Sequence, residues 1–315
     1  MSLVEELRRC KHCHSDNVVK YGTYKGTQMY WCKVCKRKFK ADDTLFHSKV
    51  SASHISSALS MFYRGLSYGD IADHMQQEYN YRPSKSAIFK WVDKYTTQAV
   101  NHFRDYTPHV GETWIADETC LDLDNHKVWF WDIIDADTRF LLASRVSLTR
   151  RTIDAEKLME AAAKRAGKAP KVIITDKLRS YLDGVEVVFG ADTEHRQSSP
   201  FALEDSTSLI ERFHGTLKDR TKVMRGFKDM ETLIQFTDGF LVYYNFFRPH
   251  EGLNEKTPAE AAKIDYRIKN WAELSRIPVS KEEELKSHPR PPRRAIPAQA
   301  KPRRKAVVKR PRLSR

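Results

Sequence analysis

Thr113-Trp-Ile-Ala-Asp-Glu-Thr-Cys-Leu-Asp-Leu123 opens the region whose reading decides the fold. Aromatic and β-branched residues from Trp114 to Leu123, Val128 to Ile134 and Arg139 to Val146 predict three strands. Turn chemistry parts them at Asp124-Asn125 and at Asp135-Ala-Asp137. Thr152 to Arg165 carries the apolar period of a helix, and Lys171 to Thr175 is the short apolar run of a buried strand. Asp183-Gly184 then precedes a further short strand, Val185 to Phe189, and helices are expected near Glu211 and from Thr232 to Phe247. A three-strand meander, a helix and a strand returned parallel by the crossover predict a mixed-sheet α/β layer fold.

Three acids stand in this framework. Asp117 lies within the first strand, Asp176 closes Lys171-Val-Ile-Ile-Thr-Asp176, and Glu211 opens the helical stretch Leu209 to Lys218. Carboxylates gathered at one point repel unless a cation sits among them. Oxygen donors without a nucleophilic cysteine or serine motif suit hard divalent metals, and two such ions can clamp a phosphodiester. Each acid also has a plainer explanation. Glu118 neighbours Asp117, and adjacent strand residues face opposite ways, so one of the two can join a cluster on a given side. Asp122, Asp124, Asp132, Asp135 and Asp137 are rivals, most of them in turn-like positions. Asp176 can be a turn or cap residue. Ser208-Leu-Ile-Glu211 reads as a capping box, although His214 and Lys218 fall on the Glu211 face at about 300° and 340° around a helix.

The ends of the chain carry its charge. The 315 residues have a formal net charge of +14. Twelve Lys or Arg and no acid lie in 286–315, and residues 1–45 hold ten basic and five acidic residues, which leaves the middle at −3. Basic ends add sequence-independent affinity for DNA. Cys10-Lys-His-Cys13 and Cys32-Lys-Val-Cys35 have the spacing of a four-thiolate zinc ribbon, with His12 and His14 as weaker ligand candidates. Arg37 and Lys38 stand in a basic cluster at the second pair, among strand-type aromatic residues, and suggest a DNA-contacting ribbon. Residues 51–100 read as three helices broken at Gly65-Leu-Ser67 and restarted at Ser84. On a helix-turn-helix reading, Lys85, Ser86, Phe89 and Lys90 lead the recognition helix; a plain three-helix bundle has the same pattern. Cys120, the odd cysteine, reads as a small strand filler. Met1 to Arg9 holds Glu5 and Glu6 and no apolar core of a leader, and no run is long enough to span a membrane. The expected setting is a reducing cytoplasm, at the nucleoid.

The motifs Trp-Ile-Ala-Asp-Glu-Thr (114–119), Ile-Ile-Thr-Asp-Lys (173–177) and Ile-Glu-Arg-Phe-His-Gly-Thr-Leu-Lys (210–218) are followed by two more. These are Tyr-Tyr-Asn-Phe-Phe-Arg-Pro-His-Glu-Gly-Leu (243–253) and Lys-Thr-Pro-Ala-Glu-Ala (256–261). Together they resemble a DDE transposase of prokaryotic insertion sequences, most similar to the family numbered six and its archaeal relatives, over roughly residues 50–265. The resemblance implies an RNase H-like catalytic domain with Asp117, Asp176 and Glu211 as the metal-binding triad. It places a basic residue seven after the glutamate at Lys218, with His214 beside it positioning phosphate. It implies two Mg2+ or Mn2+ ions per active site, one structural Zn2+, and double-stranded DNA, both element ends and target, as partner. A homodimer or higher oligomer on DNA follows from synapsis of two ends, with no membrane involved. The expected organisation is a zinc ribbon at 1–45, a helix-turn-helix domain at 50–100, the catalytic domain at 108–270 and a disordered basic, proline-rich tail at 280–315. Relatives often carry an asparagine pair before the glutamate; Asp205-Ser-Thr-Ser208 stands here. The alternatives are a non-catalytic DNA-binding protein of transposase ancestry and a plain RNase H-like nuclease.

Overall fold

The computed structural model describes residues 9–13, 15–24, 26–40, 42, 45, 50–198, 207–224 and 226–277. His14, Asp205 and the basic tail lie outside them. The first described segment is a three-stranded antiparallel sheet of β1 (Val18–Tyr24), β2 (Thr27–Cys32) and β3 (Lys38–Lys40). Its core is small: Cys10, Cys32 and Phe39 are buried, with Tyr30 stacked on Phe39. A core of this size needs a further constraint, and metal is the usual one.

Three helices follow: α1 (Ala52–Tyr63), α2 (Tyr68–Tyr79) and α3 (Lys85–Phe103). Their starts are set by side-chain caps. Ser51 and Ser84 accept from the backbone N–H three residues on, and Ser67 with Asp70 closes a capping box. Ile55, Leu59, Phe62, Ile71, Ala72, Met75, Ile88, Val92 and Tyr95 are buried as their helical spacing predicts. Tyr79 is not: its ring lies edge-on to His54 and its hydroxyl meets Ser57 Oγ at 2.9 Å. This helical core is continuous with later helices. Tyr63 stacks on Trp271 and Tyr243, and its hydroxyl meets Thr96 Oγ1 at 2.6 Å. Gly239 lies against that pair, where any Cβ would collide with Tyr63 Oη and Thr96 Cγ2.

The second sheet has the order β6-β5-β4-β7-β8. β4 (Thr113–Leu123), β5 (His126–Asp135) and β6 (Leu141–Ser147) form the expected antiparallel meander. Asp124 and Asn125 both adopt positive φ, 46° and 64°, which is the two-residue turn that matches strand twist. Asp135 Oδ2 accepts from Thr138 N–H and Oγ1–H, and its Oδ1 accepts from Gly111 N–H, closing the next turn. α4 (Thr152–Ala166) crosses over to β7 (Val172–Thr175), which runs parallel to β4. The fold is thus mixed α/β with the RNase H-like strand order and directions, in agreement with the expectation.

Two local expectations fail. Val185 to Phe189 is helical: α5 spans Arg179–Phe189. Val185 belongs to a buried stripe with Tyr181, Gly184 and Phe189, and Gly184 marks close helix contact rather than a turn. A Cβ there would sit 3.0 Å from Ala155 Cβ of α4. The fifth strand is β8 (Glu194–Gln197), a polar edge strand with no apolar signature, pairing parallel to β7. The helix expected from Thr232 to Phe247 runs as α7 (Met230–Val242) and then widens into a π turn at Tyr243–Phe247.

That π turn explains the Tyr-Tyr-Asn motif. Asn245 Nδ2 donates to Leu141 C=O and its Oδ1 accepts from Leu141 N–H, both at 2.9 Å. The side chain thereby replaces a missing neighbour strand for β6, an edge strand. Phe246 packs between Phe103, Phe140 and Tyr266. The remaining elements are α6 (Ser208–Met224), α8 (Pro258–Ala261) and α9 (Trp271–Arg276). Among the described residues, no helix is long and apolar enough to cross a membrane.

Candidate active site

β4 and β7 pair with Thr113 opposite Val172 and Ile115 opposite Ile174. Continued two residues, this register sets Asp176 beside Asp117, at the carboxyl end of β7 where α/β sites gather. Asp176 Oδ1 accepts from Leu178 N–H at 2.8 Å, which anchors the turn into α5. One oxygen each of Asp117, Glu118 and Asp176 lie within 4.8 Å of one another. Oxygens on one Mg2+, with ligand bonds of about 2.1 Å, lie at most about 4.2 Å apart, so this donor set closes on a hard cation with small adjustments.

Asp132 faces Asp117 directly across β4 and β5 and is 0% exposed. Sequence reasoning set it among the turn-like rivals. The signal that could have found it is an acid inside Val128-Trp-Phe-Trp-Asp-Ile-Ile134, where burial is certain. His214 of α6 joins the two acids: Nε2 is 2.6 Å from Asp132 Oδ1 and Nδ1 is 3.5 Å from Asp117 Oδ2. Burial alone would lower the His214 pKa, but Asp132 and Asp117 together raise it. Burial pushes Asp117 up to about 7, with His214 acting against that rise, and also raises Asp132. A cation at Asp117 would reverse the trend there by favouring the ionised carboxylate.

His214 is buried and held by carboxylates. It lies between Asp117 and Asp132. Glu211 stands one turn earlier on α6, exposed, and outside the group formed by Asp117, Glu118 and Asp176. Its Oε1 accepts from Thr207 Oγ1–H at 2.9 Å and its N–H donates to Thr207 C=O. The capping box expected at Ser208 is displaced, since Ser208 is already helical. Lys218, one turn beyond His214, is exposed on the same side. α6 thus brings His214 against Asp117 and Asp132 and leaves Glu211 and Lys218 exposed one turn to either side of it.

Glu118 joins the group despite strand alternation. Asp176 lies past the last residue of β7, where the sheet edge is open to both faces. Glu118 is 3% exposed and forms an ion pair with Arg150. The Arg150 guanidinium lies 4.1 Å over the Trp129 ring, and Trp131 is buried with its indole donating to Ser147 Oγ. These aromatic residues pack the sheet, as expected. Cys120 is half-buried and free.

Residues 111–250 match the family described as DDE domain, of the IS240 transposase type. The match spans 140 of the 315 residues. Solved structures with similarity include the HTLV-2 integrase catalytic core domain in complex with magnesium, 17% identical, covering 50% of this chain and 97% of that one at a TM-score of 0.38. The catalytic core domain of BIV integrase is 16% identical, covering 49% and 94%, also at 0.38. A simian T-cell lymphotropic virus intasome structure is 13% identical, covering 71% and 75% at 0.36. No curated protein matches the chain.

Outside the matched residues, the four ribbon thiols converge. Cys10 Sγ is 3.5 Å from Cys35 Sγ, Cys13 Sγ is 3.5 Å from Cys32 Sγ, and all four lie within 4.8 Å. Tetrahedral zinc with bonds of about 2.3 Å needs sulfur spacings of about 3.8 Å, so the thiols fit it. His12 Nε2 instead faces Lys38 C=O at 3.2 Å. Arg37 and Lys38 are exposed, and Lys38 Nζ lies 3.8 Å over the exposed Tyr21 ring. Lys85, Ser86, Phe89 and Lys90 are exposed on the first turns of α3, away from its buried stripe.

Proposed function

We propose that this protein is a DDE transposase that binds terminal inverted repeats, cleaves the element ends and joins the resulting 3′-hydroxyl to target DNA. The observation that supports the proposal is the closeness of Asp117 and Asp176 on adjacent strands, with His214 of α6 packed against Asp117. Asp117, Asp176 and Glu211 would hold two Mg2+ or Mn2+ ions. These supply an activated water or hydroxyl nucleophile and charge stabilisation for phosphodiester displacement. The chain's own residues set the geometry. His214 holds Asp117 against Asp132, and Lys218 offers a positive charge to a phosphate beside the acids. Glu211 lies in the first turn of α6, one turn before His214.

Zn2+ on Cys10, Cys13, Cys32 and Cys35 would fold the ribbon. Arg37 and Lys38 on the ribbon, and Lys85, Ser86, Phe89 and Lys90 on α3, would contact double-stranded DNA, the latter as a helix-turn-helix reader. Joining two element ends requires at least a dimer, acting in the cytoplasm at the nucleoid. The test uses full-length protein, Mg2+ and a plasmid carrying the inverted repeats that flank the reading frame. Strand-transfer products are expected, and Asp176→Asn should abolish nicking and joining together; unchanged joining by that variant refutes the site. The position of Glu211 outside the acid group favours a second reading, a DNA-binding protein without catalysis, which predicts footprints on the repeats and no metal-dependent nicking.

A further inference from the structure

Three buried polar atoms beside the acid pair lack hydrogen-bond partners among the described residues: Glu118 Oε2, Arg150 Nε and the Tyr181 hydroxyl. They lie in one place. Glu118 pairs with Arg150 through its other oxygen, and the fully buried Tyr181 hydroxyl lies beside the same carboxylate, close enough to favour its ionised form though outside strict hydrogen-bond geometry. Leaving a buried carboxylate oxygen without a partner is costly, and a single orphan of this kind is uncommon. The arm is also rigidly mounted. Arg150 is stacked on Trp129, its carbonyl accepts from Ser180 Oγ–H at 2.7 Å, and Trp131 packs edge-on against Tyr181. A rigid, 3%-exposed carboxylate with one open oxygen thus lies within 4.8 Å of oxygens on both Asp117 and Asp176.

We propose that Glu118 is a third carboxylate ligand, from the sheet itself, for the divalent cation held by Asp117 and Asp176, with Arg150 and Tyr181 as its positioning residues. The inference rests on the metal-dependent reading of the site and adds a ligand to it. One ion is then held by β4 and the end of β7 alone, before Glu211 on α6 takes part. Arg150 keeps one Glu118 oxygen and leaves the other for the metal, which satisfies the orphaned atom.

The test is binding of Mn2+ alone to the full-length protein without DNA, read by calorimetry and by the Mn2+ paramagnetic signal. Glu118→Gln removes the charge. Glu118→Asp keeps the charge, so it can still pair with Arg150, but shortens the reach. A ligand role predicts at least about a tenfold loss of Mn2+ affinity in both variants, or about 1.4 kcal/mol. Wild-type affinity in Glu118→Asp overturns the proposal, because a through-space charge effect would survive that change. Asp117→Asn and Asp176→Asn separate the two levels. If they lose Mn2+ while Glu118→Asp keeps it, the active-site reading stands and the Glu118 ligand falls; if neither loses Mn2+, the site reading itself falls.

Discussion

Replacing His214 by alanine tests the arrangement that orients Asp117. The imidazole is nearly inaccessible, 7% exposed, and its Nε2 sits 2.6 Å from an Asp132 carboxylate that is 0% exposed. Asp132 Oδ2 has no hydrogen-bond partner among the described residues. Removing one side of a buried charged pair costs about 3–5 kcal/mol, because the remaining charge is stranded. Asp132 can limit that cost by taking up a proton, since burial already raises its pKa. The expected loss is therefore near the lower bound, about 3 kcal/mol. The pH dependence follows from the sign of the His214 shift. Its folded pKa lies above the model-peptide value of 6.5, so its contribution is complete below 6.5 and fades as pH rises through the folded value. The gap between wild type and His214→Ala should be widest near about pH 6 and narrow toward about pH 9. Urea unfolding followed by tryptophan fluorescence, without added divalent ions, measures it. A cycle with Asp132→Asn should return a coupling of about 2 kcal/mol. A loss under about 1 kcal/mol at about pH 6, or a loss independent of pH, refutes the clamp.

Asn245→Ala strips both backbone partners from Leu141 and should cost about 2–5 kcal/mol, with an unchanged denaturant slope if the edge of the sheet stays closed. Cys13→Ser should lower bound zinc from one equivalent per chain, measured by chelator release, and unfold the ribbon while the main core keeps its melting transition, because the two cores share no residues. Lys85→Ala with Lys90→Ala should weaken DNA binding and reduce the slope of log K against log salt by about 1.8, if each cation neutralises one phosphate. An unchanged slope removes α3 from the DNA-contacting surface.

Local chemistry made much of the framework legible. The meander strands, the α4 crossover and β7 follow from periodicity and turn residues, and α2 and α3 start where Ser67 and Ser84 cap them. Asp117 and Asp176 were readable as acids in strand settings. What was not readable depends on neighbours distant in the chain. Val185 to Phe189 has strand composition but lies on α5, because Gly184 lets that helix press against Ala155. β8 carries no apolar pattern and is a strand only because β7 offers it an open edge.

The sequence by itself determined which residues carry charge, which could bind metal, and the order of strands and helices, since these rest on side-chain chemistry and short-range period. Tertiary structure alone decided who meets whom. It set Asp132 opposite Asp117, sent His214 in from 82 residues away to join them, and let Glu118 reach the site around the end of β7. The physical reason is that strand register and helix docking are chosen by burial of the whole core, and no local stretch of sequence contains that information.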